Sequence, residues 1–96
     1  MSSAKRVRAT PLFSRKAKKL SRQAKGRLDE EVRKLADNPS LGEEKRGDLH
    51  GVRVHKYRAG RDEMLLAYED TPDALILLAL GTHENYYRDL KKYRKG

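Results

Sequence analysis

The chain contains no cysteine and no tryptophan, and aromatic residues make up only 6% of its 96 residues. The absence of cysteine excludes disulfide bonds and thiolate metal sites, and it agrees with a cytoplasmic location. Long hydrophobic runs are absent too, since the longest, Ala74–Leu80, is too short to cross a membrane. The first residues lack the apolar stretch of a signal peptide, so we expect a soluble protein whose residues 1–96 form one domain.

Negative charge is scarce in the first third of the chain. Residues 1–34 hold 12 Lys and Arg against 3 Asp and Glu, a net charge of +9, whereas residues 35–96 hold 11 of each and are neutral. A cationic segment of this kind attracts polyanions, and it is typical of surfaces that bind nucleic acid. A solvated helical face, or a surface for an acidic protein partner, is the alternative.

The N-terminal half shows a helical pattern. Apolar residues from Phe13 to Leu35 recur at steps of three and four, with Lys and Arg between them. Ser21 can cap a helix, which predicts a hairpin of helices over residues 14–20 and 22–37, and one continuous helix is the alternative. Asn38-Pro39 ends the helix in either case. Residues 7–13 contain Pro11 and suit an edge strand.

The second half of the chain has a sequence pattern that predicts strands and turns. Residues 41–51 hold three glycines and predict a loop, followed by strands at Val52–Arg58, Met64–Tyr68 and Ala74–Leu80. Short turns at residues 60–62 and 71–73 predict an antiparallel meander, and the wholly apolar third strand is predicted to be central and covered on both faces. Residues 83–94 are predicted to form the last helix. The expected fold class is α+β, ordered β-α-α-β-β-β-α, with an N-terminal helical hairpin packed on a mostly antiparallel sheet and a C-terminal helix.

The third strand is predicted to stop at Gly81, the first residue of Gly81-Thr82-His83. Thr82 can cap the helix that follows, and His83 and Tyr87 then lie one turn apart on one face. His83 can gain and lose a proton near neutral pH. A helix-capping or surface histidine is the alternative, but in a basic chain this combination suggests chemistry on nucleic acid.

Taken in order, these motifs resemble the RelE/ParE family of bacterial type II toxin–antitoxin toxins. The resemblance covers nearly the whole chain and is carried by Phe13-Ser14-Arg15-Lys16-Ala17-Lys18-Lys19-Leu20, Asn38-Pro39, Gly47-Asp48-Leu49-His50-Gly51, Leu65-Leu66-Ala67-Tyr68 and Leu80-Gly81-Thr82-His83. The last turn is similar to that of the YafQ branch, whose members are ribosome-dependent mRNA endonucleases. Other branches inhibit DNA gyrase, and a non-catalytic homologue would act through antitoxin binding and operon regulation, so the fold alone does not decide the activity.

The resemblance implies a cytoplasmic RelE-like toxin that is held inactive by a cognate antitoxin protein. It implies cleavage of mRNA in the ribosomal A site and inhibition of translation, with attack of a ribose 2′-hydroxyl on the adjacent phosphate. Such a reaction needs a base, an acid and cations for the phosphoryl charge, and neither a metal nor a cofactor is expected.

Three positions match the catalytic residues of the family. His83 matches the acid or base, Lys56 a basic active-site side chain, and Tyr87 an aromatic that stacks on a base or donates to phosphate. Val54 stands where some members have a second lysine. The two-lysine arrangement of those members is therefore incomplete here, and His83 is favoured as the catalytic residue. Asp62 resembles an acidic position of the YafQ branch, although turns favour Asp in any case.

Five further side chains are candidates for RNA binding. Lys56 and Arg58 share one face of their strand with Val54, and Arg53, His55 and Tyr57 share the other. We favour the Lys56 face for substrate. The RNA-binding candidates, including two from the predicted last helix, are Arg53, His55, Arg58, Arg88 and Lys91.

Overall fold

The computed structural model describes residues 6–44 and 51–82, in which a hairpin of two helices packs on a five-stranded sheet. The strand order is β1-β5-β4-β3-β2, and β1 pairs parallel to β5 whereas the other pairs are antiparallel. The predicted α+β class is confirmed, and the predicted helix over residues 83–94 lies outside the described residues. The elements are β1 (Arg6–Ala9), α1 (Pro11–Lys18), α2 (Arg22–Asp37), β2 (Glu43–Glu44), β3 (Arg53–Ala59), β4 (Asp62–Asp70) and β5 (Ala74–Thr82).

Two capping residues define the hairpin. Ser21 Oγ accepts a hydrogen bond from the Ala24 amide at 3.2 Å, so the predicted break before α2 is confirmed and the alternative of one continuous helix is wrong. Thr10 Oγ1 accepts from the Phe13 amide at 3.2 Å and donates to the Leu78 carbonyl at 2.9 Å. Neither helix is long and apolar enough to span a membrane.

The predicted boundary between the first strand and the first helix is wrong. The strand ends at Ala9 instead of Phe13, and α1 begins at Pro11 instead of residue 14. Proline fits the first turn of a helix because it has no amide proton to leave unpaired, and Thr10 supplies the cap. The first strand is an edge strand, as predicted.

The antiparallel meander is confirmed, with longer strands than predicted. Gly60, with φ of 65°, makes the tight turn between β3 and β4. β5 lies between β1 and β4, in the interior of the sheet, as its apolar sequence predicted. Residues 41–51 were predicted as a loop, but Glu43–Glu44 form the short edge strand β2, which pairs with Val54 and Arg53 of β3.

The sheet buries an apolar cluster on each face. Side chains paired across the strands point to the same face, so one face of β3 carries Arg53, His55 and Tyr57 toward the hairpin, and the other carries Val54, Lys56 and Arg58. The cluster on the hairpin side comprises Phe13, Leu28, Leu35, Tyr57, Met64, Leu66, Tyr68, Leu75, Leu77 and Leu80. The cluster on the opposite side comprises Val52, Val54, Leu65, Ala67, Leu78 and Ala79.

Tyr68 ties the sheet to the chain that follows α2. Its hydroxyl donates to the Pro39 carbonyl at 2.6 Å and accepts from the Gly42 amide at 2.8 Å. The approach is so close that a Cβ on residue 42 would lie 2.6 Å from the hydroxyl oxygen. Position 42 therefore has no room for a side chain, which explains the glycine there.

Candidate nucleic-acid interface

Lys56 and Arg58 are exposed on the face of β3 that points away from the hairpin. β2 pairs only with Arg53 and Val54, so within residues 6–44 and 51–82 the outer edge of β3 has no strand partner beyond Val54. Lys56 also borders a groove of about 280 Å³ that Val54 and Glu43 line. In the same described ranges neither cation takes part in an ion pair, so both are accessible to an anion.

The strand register connects Lys56 to the end of β5. Lys56 lies opposite Leu65 on β4, and Leu65 lies opposite Gly81 on β5, so the three residues form one row across the sheet. Two strand spacings correspond to about 10 Å between the first and the last Cα of the row. The sequence continues from Gly81 through Thr82 to His83. Gly81 and Thr82 belong to β5, so this strand extends past its predicted end at Leu80. The row therefore brings the basic strand to the end of β5 that is followed in sequence by His83.

Four of the predicted site residues are not described by the structure. His83 and Tyr87 lie outside the described residues, as do Arg88 and Lys91. Their catalytic and RNA-binding roles stay predictions.

Asp62 lies at the same end of the sheet as Lys56 and Gly81. It opens β4 opposite Ala59, and its neighbour Glu63 lies opposite Arg58. Both carboxylates are exposed, and neither has an ion-pair partner in the part of the chain that the structure describes. Those ranges also hold no group of three or more His, Asp or Glu side chains close enough to bind a metal ion.

Arg53 and His55 point toward the hairpin and are engaged by the protein itself. An Nη atom of Arg53 donates to the Gly42 carbonyl at 2.8 Å, and its other Nη lies 3.9 Å from Glu44 Oε1. His55 Nε2 lies 2.7 Å from Glu31 Oε1 on α2. These contacts support structural roles for both side chains, and their predicted RNA binding stays untested.

Glu31 is the centre of a charged cluster that the sequence did not single out. Its side chain is 3% exposed and its Oε2 accepts from Arg27 Nη1 and Lys34 Nζ, each at 3.0 Å. Burial would raise the pKa of Glu31, but hydrogen bonds from His55, Lys34 and Arg27 together outweigh that effect and lower the pKa to about 2. Glu31 is therefore a carboxylate at neutral pH and binds α2 to β3.

Tyr57 packs beside this cluster. Its ring stacks on that of His55 with centroids 6.1 Å apart, and the Arg27 guanidinium lies 5.7 Å from the ring centre. The hydroxyl oxygen is buried and has no hydrogen-bond partner in the described part of the chain. Burial, reinforced by the negative charge of Glu31, raises the pKa of Tyr57 to about 12, so this hydroxyl stays protonated.

A second groove, of about 320 Å³, lies between the two helices and the end of β1. Its floor includes the apolar side chains of Phe13, Ala17 and Leu28. Lys18, Lys25 and Asp29 also line it and give it a net positive rim. The groove is separate from the Lys56 face, because it lies on the hairpin side.

Comparisons with known proteins agree with the fold. A family model described as the ParE-like toxin of type II bacterial toxin–antitoxin systems matches residues 7–91. A mutant of the Escherichia coli toxin RelE in the free state is similar at 15% identity and a TM-score of 0.75, over 94% of this chain and 97% of that chain. The RelBE2 toxin–antitoxin complex from Mycobacterium tuberculosis is similar at 21% identity and a TM-score of 0.70, over 86% of this chain and 95% of that chain. No curated protein sequence matches.

Proposed function

The chain belongs to the family of ParE-like toxins of type II bacterial toxin–antitoxin systems, and from this membership we propose that it is a toxin that cleaves mRNA on the ribosome. The family predicted from the sequence is thereby confirmed. The observation that carries the proposed activity is the row formed by Lys56, Leu65 and Gly81, which brings an exposed cation to the strand end that leads into His83.

The proposed reaction uses the RNA as its own nucleophile. A ribose 2′-hydroxyl loses its proton and its oxygen attacks the adjacent phosphorus, while the bond from phosphorus to the 5′-oxygen breaks and that oxygen takes a proton. The products are a 2′,3′-cyclic phosphate and a 5′-hydroxyl, and neither oxidant nor cofactor is consumed. His83 is the proposed group for proton transfer, and Tyr87 is proposed to stack on a base or donate to phosphate.

Lys56 is the proposed electrostatic contributor. Additional negative charge develops on the phosphoryl oxygens as the 2′-oxygen attacks, and a fixed cation stabilises that charge more than it stabilises the starting diester. Arg58, two residues along the same face, is proposed to hold a neighbouring phosphate. Arg88 and Lys91 are proposed to add further phosphate contacts without reading sequence.

An antitoxin protein is the proposed partner, and the cytoplasm, where ribosomes and mRNA are found, is the proposed location. The M. tuberculosis structure that shares this fold is a toxin–antitoxin complex. In this chain the groove between α1 and α2 combines an apolar floor with a net positive rim, which suits an acidic segment that also carries apolar side chains. We propose that residues 1–96 act as one toxin domain and that the antitoxin covers this groove.

Inhibition of DNA gyrase is the second candidate function. The matching family model is that of a ParE-like toxin, and the resemblance described above includes branches that inhibit gyrase without cutting RNA. A non-catalytic homologue that acts through antitoxin binding and operon regulation is a third reading, which the same experiment addresses.

A cell-free bacterial translation reaction with a defined mRNA tests the nuclease. New 5′ ends are mapped by primer extension after adding wild type, His83→Gln, Lys56→Gln or, as a matched loss of one exposed charge on α2, Arg33→Gln. We expect translation-dependent cuts with wild type and Arg33→Gln. The His83 and Lys56 variants should cut at least about 100-fold more slowly than wild type, because proton transfer and charge stabilisation each contribute about that factor to the rate.

Each result separates the candidates. Cuts that survive in His83→Gln would assign the acid–base role to another group. No cuts with wild type would overturn the nuclease, and inhibition of gyrase supercoiling by the same protein would then establish the second candidate. Suppression of the cuts by the protein encoded beside the toxin would support the antitoxin assignment, whereas undiminished cutting would contradict it.

A further inference from the structure

We propose that one end of the molecule, separate from the reacting groups, binds the phosphate backbone of RNA. We name it the cationic tip and define it by Lys19 and Arg22 at the turn of the helical hairpin and Arg61 in the β3–β4 turn. The assignment of RNA as the bound polyanion rests on the proposed function.

The hairpin turn is cationic because no carboxylate occurs near it in the sequence. Residues 6–28 contain no Asp or Glu. α1 ends at Lys18 and α2 begins at Arg22, so Lys19 and Arg22 stand at the exposed connection between the helices. Acidic side chains are also absent from the first turn of α2.

The structure brings the hairpin turn against the β3–β4 turn. Arg27 Nε donates to the Arg58 carbonyl at 3.0 Å. A small pocket of about 110 Å³ between the two turns is lined by Ser21 and Gln23 on one side and by Ala59 and Gly60 on the other. Arg22 lies between Ser21 and Gln23 in sequence and Arg61 follows Gly60, so two cations that are 39 positions apart are direct neighbours of residues that line this pocket.

The cationic tip continues onto the proposed RNA face through Arg58. Asp62 and Glu63 also lie at this end, but in the hairpin turn and in residues 58–63 cations outnumber carboxylates two to one: Lys19, Arg22, Arg58 and Arg61 against Asp62 and Glu63. All six side chains are exposed. Within residues 6–44 and 51–82 none of the four cations forms an ion pair, so each can contact a phosphate.

The chemistry of the cationic tip fits RNA better than a protein. Protein interfaces have an apolar centre, whereas binding to a phosphate backbone requires cations and polar groups. The exposed large hydrophobic side chains of the described ranges are Val7 and Leu41, and neither belongs to the hairpin turn or the β3–β4 turn. The groove with an apolar floor lies elsewhere, between α1 and α2.

Two triple variants with equal net charge test the proposal. The tip variant is Lys19→Gln, Arg22→Gln and Arg61→Gln. The control is Arg6→Gln, Arg8→Gln and Arg33→Gln, three exposed cations away from the tip, since Arg6 and Arg8 pair with the start of β5 and Arg33 lies in the second half of α2. Binding to a short, fluorescein-labelled, 2′-O-methylated RNA is measured by anisotropy at several salt concentrations, because this RNA binds but cannot be cut.

We expect the tip variant to bind about 10- to 100-fold more weakly than wild type near 0.1 M salt. The slope of the logarithm of the binding constant against the logarithm of the salt concentration should also be about two units shallower. The control variant should stay close to wild type in both. Equal losses in tip and control variants would overturn the proposal, since net charge alone would then explain binding. Absence of measurable RNA binding by wild type, or loss of antitoxin binding alone in the tip variant, would also overturn it.

The binding result and the cleavage result are independent. If wild type cuts mRNA but the tip variant binds RNA like the control, the proposed function stands and the cationic tip is wrong. If the tip variant alone loses RNA binding although no protein cuts mRNA, the nuclease is wrong and the RNA-binding surface stands. Equal urea midpoints for the two triple variants confirm that folding does not account for either result.

Discussion

Among single residues, Glu31 joins α2 to β3 through contacts that no sequence motif indicates. It accepts from two cations of its own helix and contacts His55 across 24 positions of the chain. The spacings from Arg27 to Glu31 and from Glu31 to Lys34 are visible in the sequence and predict ordinary surface pairs. The contact with His55 has no local signal, so neither the burial of Glu31 nor the structural use of His55 could be predicted.

The contact between Glu31 and His55 also explains which face of β3 meets substrate in our proposal. Alternation along the strand correctly separated Lys56 and Arg58 from Arg53 and His55, but it could not say which pair is covered. The structure decides because His55 reaches Glu31 and Arg53 reaches the Gly42 carbonyl. Lys56 and Arg58 are consequently left exposed.

Replacement of Glu31 by Gln should lower the free energy of unfolding by about 3 kcal/mol, because Arg27, Lys34 and His55 lose the carboxylate that they share. The control is Glu30→Gln, which also removes a carboxylate that pairs with Arg27, at 3.1 Å, but from a side chain that is 63% exposed. We expect the control to cost less than about 0.5 kcal/mol. Urea unfolding followed by circular dichroism measures both, and similar losses would contradict a special role for Glu31.

At the scale of elements, capping chemistry decides how well the boundaries can be predicted. α2 was predicted at residues 22–37 and occupies Arg22–Asp37, because Ser21 and Asn38-Pro39 are strong signals at both ends. α1 was misplaced because Pro11 fits an edge strand and a first helical turn equally well. Thr10 settles the choice by capping α1 at the Phe13 amide, and its hydroxyl also donates to the Leu78 carbonyl, 68 positions away.

Two glycines in different elements allow a matched prediction. In Gly42→Ala the new Cβ would meet the Tyr68 hydroxyl at 2.6 Å, so Tyr68 must give up its bonds to Pro39 and Gly42, and we expect a loss of about 1–3 kcal/mol. In Gly26→Ala, on α2, the Cβ meets nothing within 4 Å, and we expect a gain of about 0.5–1 kcal/mol. Thermal unfolding of the two variants should therefore shift in opposite directions, and a stabilised Gly42→Ala would refute the packing argument.

At the scale of the whole molecule, the order of elements was predictable and the long-range pairings were only partly so. The apolar sequence Ala74–Leu80 correctly indicated an interior strand. The pairing of β2 with β3 was missed, because two glutamates carry no strand signal and this edge depends on Val54 and Arg53 alone. The position of the hairpin turn against the β3–β4 turn, on which the cationic tip depends, also rests on contacts between distant parts of the chain.

The stability of the whole protein in acid depends on the charged cluster around Glu31. The pKa of Glu31 falls from its ordinary value of 4.5 to about 2 in the folded protein, so the unfolded chain binds the proton more readily. The contribution of Glu31 to stability is therefore fully present above pH ~4.5 and is lost as the pH falls toward ~2, an effect of about 3 kcal/mol. The charged and titratable side chains that face it are Arg27 and Lys34 from α2 and His55 from β3.

Urea unfolding of wild type and Glu31→Gln near pH ~6 and near pH ~3 isolates this contribution, because the other carboxylates titrate in both proteins. We expect the stability difference between the two proteins to be large at the higher pH and to shrink at the lower one. Glu30→Gln should instead lose stability in parallel with wild type, since its carboxylate is exposed and weakly coupled. A difference between wild type and Glu31→Gln that is the same at both pH values would show that Glu31 acts by shape and hydrogen bonding and not through its charge.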